Sequence, residues 1–163
     1  MISTLETKIA KDPTGKKLIV TRDFNAPLAR VWHAWTDSQQ LDKWWAPKPW
    51  KAETKTMDFK PGGHWLYAMV SPEGEKHWCM VAFQAIEPQK SFSVLNGFCD
   101  EQGQLNPAMP RMHWFTEFKA AGDSTAIRVE IGFDSEADLQ RIVEMGFEQG
   151  FKMGLGNLDE LLG

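Results

Sequence analysis

Between residues 51 and 133 the chain is a succession of short runs with turn residues between them, and this spacing constrains its fold more than any other feature. Residues 51 to 59 lead into Pro61-Gly62-Gly63, His64 to Val70 into Ser71-Pro72-Glu73-Gly74, and His77 to Ile86 into Pro88-Gln89-Lys90. Ser91 to Phe98 follows, then a loop rich in Gly, Asn and Pro through Pro110, then Met112 to Phe118 and Ala126 to Phe133, joined through Gly122-Asp123. The short connections can join only antiparallel neighbours, so the segment reads as a meander. An earlier run, Leu18 to Phe24, has a period close to two and ends at Asn25-Ala26-Pro27. Seven strands are expected in all.

Two short helices are expected after the first strand. Pro27, at a first helical position where its missing N–H costs nothing, starts one over Leu28 to Thr36, with Val31, Trp32 and Trp35 on one face. Asp37 or Ser38 caps the other, which runs through Leu41, Trp44 and Trp45 and is ended by Pro47 and Pro49. The last segment predicts one long helix opening at Asp134 or Ser135, with Glu136 and Asp138 at the positive end of its dipole. Leu139, Val143, Phe147, Phe151, Leu158, Leu161 and Leu162 form its apolar stripe, and Arg141, Glu148, Lys152 and Asp159 lie opposite. Gly146, Gly150 and Gly154 fall inside that stripe, each at a cost of about 1 kcal/mol relative to Ala. Either the helix approaches the sheet too closely for side chains there, or the missing side chains leave room for a neighbour's rings or a ligand.

Residues 1 to 16 are polar, contain Pro13 and Gly15 and read as a loose arm; residues 17 to 163 read as one domain with one core. Eight Trp and ten Phe beside a single Tyr imply a wide apolar interior with few hydroxyl handles. The net charge of −4, with Lys48, Lys51 and Lys55 interleaved with Glu53 and followed by Asp58, argues against a nucleic-acid partner. There is no basic leader before an apolar run and no stretch of about 18 apolar residues, so neither export nor membrane insertion is expected. Cys79 and Cys99 form no C-x-x-C pair and read as reduced thiols of a cytoplasmic protein.

Strand phase separates inward from outward residues. Ile127, Val129, Ile131 and Phe133 form one inward set, and Met112, Trp114, Thr116 and Phe118 another. The inward set of the first strand, Leu18, Val20 and Phe24, also contains Arg22, whose guanidinium needs either a carboxylate of the chain or an anionic ligand. His77 and Cys79 lie two apart, and a hairpin turning at Gln89 would place Cys99 opposite Cys79. That leaves a metal site or a disulfide to be weighed against ordinary buried thiols. The strand from His77 to Ile86 is apolar on both phases, Trp78, Met80 and Ile86 on one and Val81 and Phe83 on the other, which suggests a second subunit in a homodimer. With no G-x-S-x-G and no tuned pair of acid and base, no catalytic residue, metal site or cofactor is assigned.

The order strand, two short helices, six strands, long helix is a helix-grip pattern. The chain resembles the family of activator-of-heat-shock-protein-90-ATPase homologues in the START/SRPBCC superfamily. The resemblance covers residues 18 to 162. It is carried by Arg22-Asp23-Phe24-Asn25-Ala26-Pro27, Val31-Trp32-His33-Ala34-Trp35-Thr36-Asp37 and Trp44-Trp45-Ala46-Pro47, and continues with Asp58-Phe59-Lys60-Pro61-Gly62-Gly63-His64-Trp65, Phe83-Gln84-Ala85-Ile86-Glu87-Pro88 and Gly146-Phe147-Glu148-Gln149-Gly150-Phe151. Lys60, Val81 and Phe151 depart from the residues common in that family, often Arg, Gly and Trp. The resemblance implies an α+β helix-grip fold: a seven-stranded curved antiparallel sheet with the long C-terminal helix packed across its concave face. It further implies a cavity between helix and sheet for an apolar or aromatic small molecule. Arg22, Trp44, Trp45, Met112, Trp114, Phe118, Phe147, Gly150 and Phe151 are its expected lining. Non-enzymatic binding of a small hydrophobic ligand is the first functional expectation. A module that regulates a chaperone, as the family name suggests, and a cyclase- or hydrolase-like enzyme in the same cavity are the alternatives.

Overall fold

Alternate residues of the first long run, Leu18, Val20, Arg22 and Phe24, are buried while their neighbours face outward, as a half-buried strand requires. A computed structural model describes residues 7–163. Its elements are β1 (Lys8–Lys11), β2 (Lys17–Phe24), α1 (Leu28–Thr36), α2 (Ser38–Trp44), β3 (Lys51–Met57), β4 (His64–Val70), β5 (Lys76–Glu87), β6 (Ser91–Cys99), β7 (Met112–Ala121), β8 (Ser124–Gly132), α3 (Glu136–Glu144) and α4 (Phe147–Leu162). All strands pair antiparallel in the order β1-β2-β8-β7-β6-β5-β4-β3. The helices α1 and α2 therefore carry the chain from one side of the sheet to the opposite edge, and the meander returns strand by strand.

The expected seven strands are corrected to eight among the described residues. The extra one, β1, lies in the stretch read as a loose arm and pairs with the free edge of β2, from Lys8 against Thr21 to Lys11 against Leu18. Four residues with no alternation give no signal of their own; the open edge supplies the partner groups. The rest of that arm, residues 1 to 6, lies outside the described residues.

The single long C-terminal helix is corrected to two. Ser135 caps α3 by accepting a hydrogen bond from the Asp138 amide at 3.1 Å, as its position suggested. The helix then stops before Gly146, whose φ of +89° is left-handed, and α4 starts at Phe147. Only α4 crosses the sheet. Its C-terminal half buries Leu155, Leu158 and Leu162 in the core, where each is worth roughly 1.5–3 kcal/mol over its exposed state.

Backbone contacts hold α4 down at its middle. A side chain at Gly154 would place its Cβ 3.2 Å from the Trp45 carbonyl oxygen and 3.4 Å from that of Trp44. One turn later the Asn157 amide donates to the Ala46 and Trp44 carbonyls, at 3.0 and 3.4 Å. Near its end, Asp159 pairs with the buried guanidinium of Arg22, which also donates to the Asp23 carbonyl at 2.7 Å and to the Thr7 hydroxyl at 3.1 Å. The carboxylate that Arg22 required thus comes from the chain itself.

On the outer face of β5, the loop from Asp100 to Arg111 lies over Met80. Gly103 sits so close over Met80 that a Cβ would lie 2.5 Å from its methyl carbon, and Leu105 lies equally close over Gly97. The loop thus covers part of the apolar phase from which the sequence reading expected a second subunit.

Candidate functional site

Above the opposite half of the sheet the helix stands away from the strands. There a cavity of about 240 Å³ is walled by Tyr67, Cys79, Asn96, Met112 and Trp114 from β4 to β7, by Phe147, Gly150 and Phe151 from α4, and by Trp45 and Pro47. Met69, His77 and Phe98 form its mouth, which opens toward a shallower groove along Trp50, Trp78, Met109 and Met145. Behind Asn96 and Trp114 lies a recess of about 30 Å³, reaching Trp35, Thr116 and Val81.

Gly150 creates space because it lacks a side chain: a Cβ there would meet only Pro47, at 3.7 Å. The three glycines of the expected stripe therefore do three different things. Gly146 breaks the helix, Gly150 lines the cavity, and Gly154 permits backbone contact.

Trp45 is the hub of the wall. It lies edge-on to Trp35, Trp44, Trp65 and Phe151 at 5.3–6.1 Å and tilted against Trp114 at 5.8 Å, arrangements that aromatic quadrupoles favour. Its indole N–H donates to the Tyr67 hydroxyl at 2.9 Å, and Tyr67 stands directly opposite Cys79 of β5. Burial pushes the Cys79 thiol up to about 12 and the Tyr67 hydroxyl well above its usual range, so both remain protonated and neither is poised as a nucleophile.

Three buried polar atoms at this site find no partner among the described residues: Asn96 Oδ1, Trp114 Nε1 and Trp35 Nε1. Among the described residues, no Asp, Glu, Lys or Arg walls either the cavity or the recess.

The model of the family described as Activator of Hsp90 ATPase homolog 1-like protein matches residues 25–163. The chain belongs to that family. The family is part of the SRPBCC helix-grip superfamily, in which START domains form a related but separate branch, so the START label of the sequence reading is too narrow. Among solved structures, a protein from Arthrobacter aurescens is 30% identical with a TM-score of 0.89, covering 95% of this chain and 90% of its own. One from Mycobacterium smegmatis is 30% identical with a TM-score of 0.88, covering 96% of each chain. An AHSA1 protein from Silicibacter pomeroyi, at 20% identity and a TM-score of 0.70 over 90% and 96%, shares the fold. No curated protein matches at a significant level.

In this member of the family, six of the expected lining residues meet at the cavity: Trp45, Met112, Trp114, Phe147, Gly150 and Phe151. Three do not. Arg22 is engaged by Asp159, Trp44 turns into the helix layer and donates to the Ala34 carbonyl at 2.8 Å, and Phe118 packs between Trp32, Trp35 and Phe92. Strand phase could have found Asn96, which shares the inward face with Val94 and Phe92, but a polar residue in a core phase was passed over. Tyr67, Cys79 and Phe98 follow the same phase on adjoining strands. Two of the three family departures lie here as well, Phe151 on the cavity and Val81 on the recess, whereas Lys60 lies at a surface turn beside Asp58, at 3.4 Å.

The convergence of His77, Cys79 and Cys99 does not occur. Phe98 stands opposite Cys79, and Cys99 stands opposite Trp78 on the other face; both cysteines are free thiols. No cluster of three potential metal ligands is found among the described residues. No helix among them is long and apolar enough to cross a membrane.

Proposed function

We propose that this protein binds a small apolar or aromatic molecule, without chemical conversion, in the cavity between α4 and the sheet. The observation that carries this reading is the cavity of about 240 Å³ walled by aromatic rings and methionines and left open by Gly150. Close-packed interiors do not leave such space without consequence, because every unfilled face forfeits dispersion contacts. A void of roughly 150 Å³ accepts a single benzene ring, so this one has room for a mono- or bicyclic guest. Membership of a helix-grip family supports the same reading, and the high pKa of Cys79 and Tyr67 argues against chemistry at the wall.

The test is titration with 2-methylnaphthalene and toluene, followed by intrinsic fluorescence of the wall tryptophans and by thermal shift. Saturable quenching and a raised Tm are expected in the native protein. Both should vanish in Gly150→Leu, whose side chain would occupy the space, while circular dichroism stays native. Binding that persists in Gly150→Leu, or no response to either probe, would refute the assignment.

A further inference from the structure

We infer that the guest is uncharged and carries a hydrogen-bond acceptor next to a donor, a carboxamide or hydroxyl group received by Trp114 and Asn96 at the inner end of the cavity. This deepens the binding reading above and rests on it. Asn96 and Trp114 wall both the main cavity and the recess behind it, so they stand where the two spaces meet. Both are more than nine-tenths buried, and Asn96 Oδ1 and Trp114 Nε1 have no partner. A third unpartnered group, Trp35 Nε1, belongs to the recess itself.

An unpaired buried donor or acceptor costs roughly 1–3 kcal/mol, and this chain leaves three at one place while satisfying the indoles of Trp44, Trp45 and Trp65. A guest that accepts from an indole N–H and donates to the Asn96 carbonyl relieves that cost on binding. The Tyr67 hydroxyl, elsewhere on the cavity wall, already accepts the Trp45 N–H. A negatively charged guest finds no cation: the wall has no Lys or Arg, Arg22 is paired with Asp159, and His77 is at the mouth with its side chain more than half exposed. An organic acid would therefore leave water without compensation.

The rival occupant of the recess is a resident water, for which about 30 Å³ is ample. The experiment compares isosteric probes in two sizes, benzamide, benzoate and toluene, then 2-naphthamide, 2-naphthoate and 2-methylnaphthalene, by calorimetry and fluorescence. It uses the native protein, Trp114→Phe and Asn96→Leu. The amides should bind the native protein at least about tenfold more tightly than the carboxylates. Trp114→Phe and Asn96→Leu should each reduce about tenfold the preference for the amide over the hydrocarbon of the same size, both measured on the same variant. Asn96→Leu should also raise the Tm of the empty protein, because it removes an unpaired acceptor.

A carboxylate that matches its amide would overturn the inference. So would an amide preference that both variants leave intact, the result expected if water holds the recess. Failure of the hydrocarbons as well, or hydrocarbon binding indifferent to Gly150→Leu, would instead remove the cavity reading on which the inference stands.

Discussion

Two groups of aromatic rings lie on the same face of the same sheet, and one of them surrounds far more space than the other. Under α1, Trp32, Phe59, Phe83, Phe92 and Phe118 interlock with ring centroids 4.9–6.5 Å apart, and the narrow recess of about 30 Å³ touches this group at Phe83 and Phe92. Under α4, Trp45, Trp114, Phe147 and Phe151 keep similar distances, 5.3–6.1 Å, yet stand around a void. The difference lies in what the covering helix brings. Trp32, from α1, fills the centre of its cluster, whereas α4 presents Gly150 at the corresponding place and is held by Gly154 and Asn157 where it must touch the chain. An abundance of Trp and Phe is thus compatible with both a solid and a hollow interior; the helix decides which.

This contrast should be measurable in truncations. Phe118 and Phe151 are almost equally buried, 6% and 8% exposed, so area alone predicts equal losses. Phe118→Ala should cost about 3–5 kcal/mol in urea unfolding, because its neighbours are fixed on all sides. Phe151→Ala should cost about half as much, since one side of that ring already faces empty space. Equal costs would erase the distinction.

The anchoring of α4 comes next. Asp159→Asn leaves the Arg22 guanidinium buried without its countercharge and should cost about 2–3 kcal/mol, less than a fully buried pair because Asp159 is partly exposed. The affinity of the hydrocarbon probe should fall as well if this tie sets the height of α4 over the void.

Smaller effects of opposite sign should separate the two glycines. Gly150→Ala should gain up to about 1 kcal/mol of helix propensity, for its Cβ meets nothing closer than Pro47. Gly154→Ala should lose about 1 kcal/mol, because the obstructing atoms are the backbone carbonyls of Trp45 and Trp44, in a segment that Asn157 holds through the Trp44 and Ala46 carbonyls. Chemical unfolding of both variants checks the signs.

Alkaline pH gives the smallest shift. The unfolded thiol loses its proton near 9.0, whereas folded Cys79 keeps it to about 12. Between those values the folded state binds more protons, so stability falls as pH rises, by about 1 kcal/mol at pH 10. Cys79→Ala should flatten that slope. A native slope already flat would mean that water fills the cavity and hydrates the thiol.

Much of this arrangement was legible along the chain. The phases of Met112 to Phe118 and Ile127 to Phe133, the span Leu28 to Thr36 and the Ser135 cap all emerge as read, because each depends on contacts within one element or on a period of two or 3.6. The register of the cysteines was not. A turn at Gln89 correctly pairs Glu87 with Ser91 and Ala85 with Ser93, but an irregularity between Phe83 and Ala85 inserts one residue, and beyond it Cys79 meets Phe98 rather than Cys99. A single bulged residue moves every later pair and has no signature in composition.

The sequence by itself determined the family, the run of antiparallel strands, the inward sets and most of the aromatic wall, since periodicity and local motifs encode which side of an element is apolar. Only the tertiary structure decided where the interior is full and where it is empty, that Arg22 is satisfied by Asp159, and that Asn96, Trp114 and Trp35 are left unpaired. Those outcomes depend on distances between elements far apart in the chain. A void is a property of no residue: it appears where packed neighbours fail to meet, and only their relative placement can show it.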